Sequence, residues 1–300
     1  MHVTFFAAEK DREDMIARAF ATGVRTHSHQ CDIVRPAEYP APNPETDVAV
    51  MIGVKGYSRK LFDDHLEAGK HVLYIDKGYL GNRGRYYRMS VNSFQPLRYF
   101  QQVARPADRL QTLGLTLQPM RTSGRHILVA GGSVKYSNWH RMHGGPNDED
   151  PATAWAQQTI KRLSKASHRP IVYRPKPSWK DAVPIPGVEY SRPPRTIQEE
   201  LRDCWCLVTY GSNAALDALI FGVPVLVLGD GIAQPLAKMS ENSVEDPYLP
   251  TDEERWQLLA DVAYCQFSVP EMASGLAWSI LQEQLHADGA ATTETTQTAA

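Results

Sequence analysis

Two apolar runs with one short helix between them constrain this chain more than any other feature. Cys206–Tyr210 (CLVTY) and Val223–Leu228 (VPVLVL) are almost continuously apolar; between them lie the turn Gly211-Ser212-Asn213 and the stretch Ala214–Phe221, closed by Gly222. Runs of this kind suit strands buried on both faces of a sheet. A connection of roughly a dozen residues fits the helical crossover that joins parallel strands. The segment therefore reads as a βαβ unit at the centre of a parallel sheet.

The same alternation extends along the chain. His2–Phe6, Cys31–Val34, Asp47–Ile52 and His71–Ile75 read as strands, with a Pro-rich loop over 36–44. Asp11–Ala21 is helical in period, with Met15, Ile16, Ala19 and Phe20 on one stripe, and Ser58–Ala68 is a helix closed by Gly69. Tyr86–Val91 reads as a further strand, Leu97–Ala104 as a short helix, Pro106–Leu113 as a helix, and Gly114–Gly124 as a linker. The pattern restarts at His126–Ala130. A polar loop over 135–150 leads to a helix opened by Asp150-Pro151 and running to about Ser167. Pro170–Tyr173 is a strand, and Thr196–Asp203 a helix with Glu199 at the capping-box position. Helices over Asp252–Ala263 and Val269–Leu285 finish the fold. The tail from Ala287, rich in Ala and Thr, reads as disordered. The expectation is an α/β protein of two Rossmann-like domains facing a cleft: residues 1–118, then 126–286 with the closing helices, then the tail 287–300.

Charge is sorted along the chain. The net charge of −2 divides into −3 over residues 1–76, +13 over 77–202 and −12 over 203–300. From Lys77 to Arg141 there are 11 basic residues and one acid, Asp108. Either the basic third meets an anionic partner, or two solvated faces differ and pair across a domain boundary.

Several classes are excluded. No apolar run is long enough to span a membrane. Glu9, Lys10 and Asp11 interrupt the N-terminus too early for a signal peptide. Cys31, Cys204, Cys206 and Cys265 have neither metal nor disulfide spacing, which suits free thiols in a reducing cytoplasm. His140-x-x-His143 lacks a carboxylate context, so no metal site is expected. There is no G-x-S-x-G elbow, Walker loop or G-x-G-x-x-G.

Three constellations carry chemistry. In the first, a strand ends at Gly211-Ser212-Asn213 and a helix begins, so backbone N–H groups and the helix dipole would point at one spot. That reads as an anion site, with a well-capped βαβ unit as the alternative. Gly211 would let a ligand approach the backbone, while Ser212 and Asn213 add donors and cap the helix. In the second, Gly131-Gly132-Ser133 follows a strand and reads as either a phosphate or sugar turn or a plain tight turn. The third runs from Tyr74 to Asn92. Asp76 ends a strand, and Lys77, Arg83, Arg85 and Arg88 interleave with Tyr79, Tyr86 and Tyr87; glycines 78, 81 and 84 predict a mobile loop. Basic and aromatic residues mixed in this way fit a polyanion with stackable rings, or a solvated surface loop. Asp76 is the candidate general base for an acceptor hydroxyl, with Glu9, Asp11 and Asp230 as rivals.

Ser212, Asp217, Gly222, Pro224 and Val225 together resemble the donor half of the GT-B glycosyltransferases. The likeness is greatest to capsule-polysaccharide transferases and sugar-nucleotide epimerases, and covers about residues 126–235. It implies a nucleotide-sugar co-substrate held by Gly131, Gly132, Ser133, Gly211, Ser212, Asn213 and Asp217. Where those families carry a donor-contacting His-Pro, this chain has Arg174-Pro175-Lys176-Pro177, so Arg174 and Lys176 would meet the diphosphate. A metal need not be invoked. Lys77, Tyr79, Arg83, Arg85, Tyr86, Tyr87 and Arg88 would hold the acceptor. With the basic middle of the chain, the acceptor expected is a hydroxymethylated base in DNA, similar to the substrates of bacteriophage DNA glycosyltransferases. Tyr86, Tyr87 or Trp139 would then stack on the extruded base, and the compartment would be the host cytoplasm. The alternatives are an acidic surface polysaccharide as acceptor, a sugar-nucleotide epimerase, and a non-catalytic nucleotide- or nucleic-acid-binding protein.

Overall fold

A computed structural model describes every residue except 36–43, 98–103, 145–149 and 298–300, with side chains described as far as His286. The chain forms two compact units, one of Met1–Val103 with Val262–Ala300 and one of Ala104–Asp261.

In the first unit, β1 (His2–Phe6), β2 (Gln30–Val34), β3 (Val48–Ile52) and β4 (His71–Lys77) are parallel in the order β2-β1-β3-β4. β5 (Tyr86–Val91) pairs antiparallel with β4. The helix α1 (Asp11–Thr26) buries Ile16, Phe20 and Val24, and Phe20 meets Phe5 edge-on at 5.9 Å. A second helix, α2 (Ser58–Glu67), buries Leu61 and Phe62.

The chain end corrects the expected boundaries. A three-residue strand, Gln266–Ser268, covers the free edge of β5, and the helices Val269–Ala273 and Leu276–Gln297 belong to the first unit. They were expected on the second. An open strand edge and an unpaired apolar helix face both need cover, and the first unit supplies it. Trp278 is fully buried, 5.8 Å from Phe20, and its indole N–H donates to His29 Nδ1 at 2.9 Å. The single expected helix over Val269–Leu285 is broken at Gly275, whose φ of 87° suits glycine. The last helix extends to Gln297 through the segment expected to be disordered, because a helix already nucleated by packing propagates at little cost.

In the second unit, β6 (His126–Ala130), β7 (Ile171–Arg174), β8 (Glu189–Tyr190), β9 (Cys204–Thr209) and β10 (Val225–Val227) are all parallel, in the order β10-β9-β6-β7-β8. The Asp150 cap accepts from Ala152 N and Thr153 N and opens Pro151–Ala166 as read from sequence; the Thr196–Glu199 capping box also forms. The polar loop after β6 instead begins with a helix, Val134–Trp139, which buries Trp139. The expected helix over Pro106–Leu113 is shortened to Asp108–Gln111, and the one over Leu97–Ala104 lies almost wholly outside the described residues.

Strand order fixes where each unit offers a crevice. The chain leaves β1 for one neighbour, β2, and later takes its other side with β3; in the second unit it fills one side of β6 with β7 and β8, then the other with β9 and β10. Open α/β sheets bind ligands beyond the carboxyl ends of their strands at such reversals. The crevices therefore lie at β1/β3 and β6/β9.

Trp278→Ala should cost about 3–5 kcal/mol, read as a lower urea midpoint, because it empties a fully buried site. Acid should loosen the same packing. Desolvation first, and the nearby His27 as well, hold the His29 imidazole below its usual 6.5. His29 therefore favours the folded state above that value, and its contribution is lost as pH falls through the lowered folded value. Buried His65 is lowered in the same sense, chiefly by desolvation. His29→Gln, which keeps an acceptor for the indole, should flatten part of the slope of melting temperature against pH below about 6.5.

Candidate functional site

The β6/β9 reversal brings together the two turns singled out in the sequence. Thr209, the last residue of β9, donates its hydroxyl to the Ala130 carbonyl at 2.8 Å and accepts from Ser212 N at 3.0 Å. Gly131-Gly132-Ser133 and Gly211-Ser212-Asn213 thus stand side by side. Gly131 N also donates to the Arg174 carbonyl at 2.9 Å, which ties the end of β7 to the same edge. Ser212 Oγ accepts from Ala214 N at 3.2 Å, whereas Asn213 makes no side-chain cap. The helix that follows, Ala214–Ile220, has only seven residues and carries half-buried Asp217. With so short a helix, the juxtaposed turns are a better argument for a site than the dipole expected from sequence.

Gly211 plays a different part from the one expected. A Cβ there would lie 2.1 Å from the Asp230 carbonyl oxygen and 2.2 Å from the Tyr136 hydroxyl. That hydroxyl donates to the same carbonyl at 3.1 Å. Gly211 is needed so that these groups can close over it, not to admit a ligand. Tyr136, His140, Tyr210 and Trp155 form a wall of rings beside the turns, with successive centroids 4.3, 5.3 and 6.3 Å apart.

Arg174 and Lys176 part company. Arg174 is buried, donating to Ser191 Oγ and the Arg195 carbonyl, both at 2.7 Å, while Lys176 is exposed. Arg174 therefore serves the second unit's own packing.

The loop after Asp76 is anchored, contrary to the mobile reading. Gln266 Oε1 accepts from Tyr79 N at 2.8 Å and Leu80 N at 2.9 Å, and Gly78 N donates to the Tyr86 carbonyl. Arg88 is buried, not presented to an acceptor. It donates to the Tyr79 hydroxyl, the Phe94 carbonyl and Gln95 Oε1, and its guanidinium lies 4.6 Å from the Phe94 ring centroid. Tyr79 and Tyr87 are buried with it, and Trp139 is buried in the second unit, so neither Tyr87 nor Trp139 is available to stack on a base. Arg83 donates to the Tyr79 carbonyl at 2.7 Å. Lys77 and Arg85 are exposed and Tyr86 half-buried. Asp76 accepts from the Tyr74 hydroxyl at 3.0 Å and lies 3.8 Å from Arg88, so it acts as counter-charge to a buried cation. Glu9 and Asp11 are exposed.

Four cations of the remaining basic stretch are also engaged. Arg121 donates to the carbonyls of Leu201 and Arg202, and Arg162, Arg169 and Arg195 pair with Glu241, Glu245 and Glu189.

At the other reversal, β1/β3, the structure joins two residues that sequence reasoning missed. Glu13, in the first turn of α1, accepts from Ala8 N at 2.7 Å and from Lys55 Nζ at 2.8 Å. Burial would raise the Glu13 carboxyl, but the Lys55 ammonium and the Ala8 N–H outweigh it and hold the group below its usual 4.5. The only trace in the sequence is an acid in the first helical turn after one strand and a lysine just after another. Among the described residues no group of three or more His, Cys, Asp or Glu could hold a metal, and no helix is long and apolar enough to cross a membrane.

No family model matches this chain, and no curated protein matches it. Solved structures do. KpsC from Thermosulfurimonas dismutans, a β-Kdo 2,7 transferase, superposes with a TM-score of 0.52 at 13% identity, over 92% of this chain and 98% of that one. The KpsC β-Kdo 2,4 transferase of the same organism gives 0.50 at 12% identity, over 89% and 92%. This chain has the GT-B glycosyltransferase fold. In that fold the second unit's paired turns belong to the segment whose residues resembled a donor half.

Asp76→Asn should lower stability by about 1–3 kcal/mol, the range for leaving a buried polar group without its partner, because it removes the counter-charge of Arg88. Denaturant unfolding measures this. Gly211→Ala should lower the melting temperature through its close contact with the Asp230 carbonyl.

Proposed function

We propose that this chain is a glycosyltransferase that draws its sugar from a nucleotide-sugar donor bound at the β6/β9 reversal. The observation that carries the reading is the meeting of Gly131-Gly132-Ser133 with Gly211-Ser212-Asn213 around the Thr209 hydroxyl. Gly132 and Ser133 leave the backbone of the first turn within reach of the donor's phosphate, and the Ser212 hydroxyl, the Asn213 amide and exposed Lys176 supply polar contacts. Donors fixed in place before reaction favour the charge that develops on the departing nucleotide. The rings of Tyr210 and Tyr136 lie beside the turns, where a nucleobase needs an apolar surface. Since two of the structural neighbours are Kdo transferases, a nucleotide-activated Kdo is the first donor to test.

For the acceptor, a saccharide is favoured over DNA. The DNA reading leaned on a basic stretch in which Arg88 and Arg174 are buried and Arg121, Arg162, Arg169 and Arg195 have partners of their own. Among the described residues of the first unit, Lys77 and Arg85 stay exposed and Arg83 and Tyr86 half-buried.

Calorimetric titration of the full chain with cytidine, uridine and guanosine mono- and diphosphates tests the donor site. One of them should bind, and Ser212→Ala should weaken it about fivefold, the worth of one hydrogen bond of about 1 kcal/mol. If none binds the wild-type chain, the donor reading fails. Binding to duplex DNA that weakened steeply between 50 and 200 mM salt would restore the nucleic-acid acceptor.

A further inference from the structure

We propose that Glu13 and Lys55 form the subsite of the first unit that binds neighbouring hydroxyl groups of a neutral saccharide acceptor. The inference rests on the glycosyltransferase reading and supplies it with an acceptor class.

Position comes first. The pair spans the β1/β3 reversal, Glu13 standing on the helix that follows β1 and Lys55 in the loop that follows β3. A ligand crevice belongs at that reversal, and the equivalent reversal of the second unit holds the two turns assigned to the donor. The loop is built rather than loose: Lys55 N donates to Ser58 Oγ at 2.7 Å, and that hydroxyl also lies 3.3 Å from the Gly53 carbonyl.

Unused hydrogen-bonding capacity comes second. Glu13 Oε2 takes both the Ala8 N–H and the Lys55 ammonium, and Oε1 has no donor among the described residues. An ammonium has three N–H donors and Lys55 commits one of them to Glu13. Side-chain exposure is 15% for Glu13 and 21% for Lys55, so both are shielded yet reachable. A free carboxylate lone pair beside free N–H groups matches adjacent sugar hydroxyls, each of which donates and accepts.

Charge comes third. The ion pair is neutral as a unit and does not select a polyanion. Because Lys55 and Ala8 keep Glu13 ionised, it is a weak proton acceptor near neutral pH, and its role is to receive and orient a hydroxyl rather than deprotonate it. Tyr57 lies close enough to Glu13 for the carboxylate, after desolvation, to help raise the phenol above its usual 10; its half-buried ring offers a sugar an apolar face.

The test is saturation-transfer NMR on the full chain with the methyl glycosides of glucose, galactose, mannose and rhamnose. At least one should show transfer. Glu13→Gln places an amide N–H where Oε1 is free, and Lys55→Met removes the donors; each should reduce that transfer at least tenfold. Both variants should stay folded, with a melting temperature lowered only by the loss of one ion pair, and should keep the wild-type affinity for the nucleotide found by calorimetry. Absence of transfer to all four glycosides, or transfer that persists in the variants, overturns the subsite while leaving the donor reading intact. Loss of nucleotide binding in the wild type would instead indict the donor reading. Should either substitution unfold the chain, Glu13→Ser and Lys55→Leu take its place, and full transfer in both of those overturns the proposal equally.

Discussion

The Thr209 hydroxyl is the hinge of the second unit. It is buried at the end of β9, where it donates to the carbonyl that ends β6 and accepts the amide that opens the next turn. A buried hydroxyl must be satisfied, and satisfying this one locks two turns more than seventy residues apart into one edge. Gly211 and the Tyr136–Asp230 bond close over that edge, and a side chain at 211 has nowhere to go. The candidate donor site is the consequence of one polar group at a point where the strand order reverses.

A second constraint concerns the arginines. Arg88 and Arg174 are surrounded by hydroxyls, carbonyls and rings, as a buried guanidinium requires. Arg88 holds β5 against the anchored loop, and Arg174 joins β7 to the segment before the Thr196 helix. Buried cations of this kind are fold elements, and these two are not presented to a partner at the surface.

The candidate site was legible in part. The small-residue turns at 131–133 and 211–213 announce themselves because glycine and serine after an apolar run have few other uses. Their adjacency did not, since it depends on β6 and β9 being neighbours across a gap in sequence. Glu13 and Lys55 gave almost no signal, being an ordinary acid in a first helical turn and an ordinary loop lysine. Arg88 and Tyr79 gave a misleading one: alternation of basic and aromatic residues describes a binding loop and a packed cation equally well.

By itself the sequence determined the strand-and-helix alternation, the Asp150 and Thr196 caps, and the division into two α/β units, because periodicity, capping and turn chemistry act within a few residues. Tertiary structure alone decided that the closing helices and the strand at Gln266 complete the first unit, which charges face inward, and which loops meet at each strand reversal. Those outcomes turn on burial and hydrogen bonding between segments as far apart as Tyr79 and Gln266, or Phe20 and Trp278. No local pattern encodes such partners; they are selected when apolar faces and unpaired backbone groups are removed from water together.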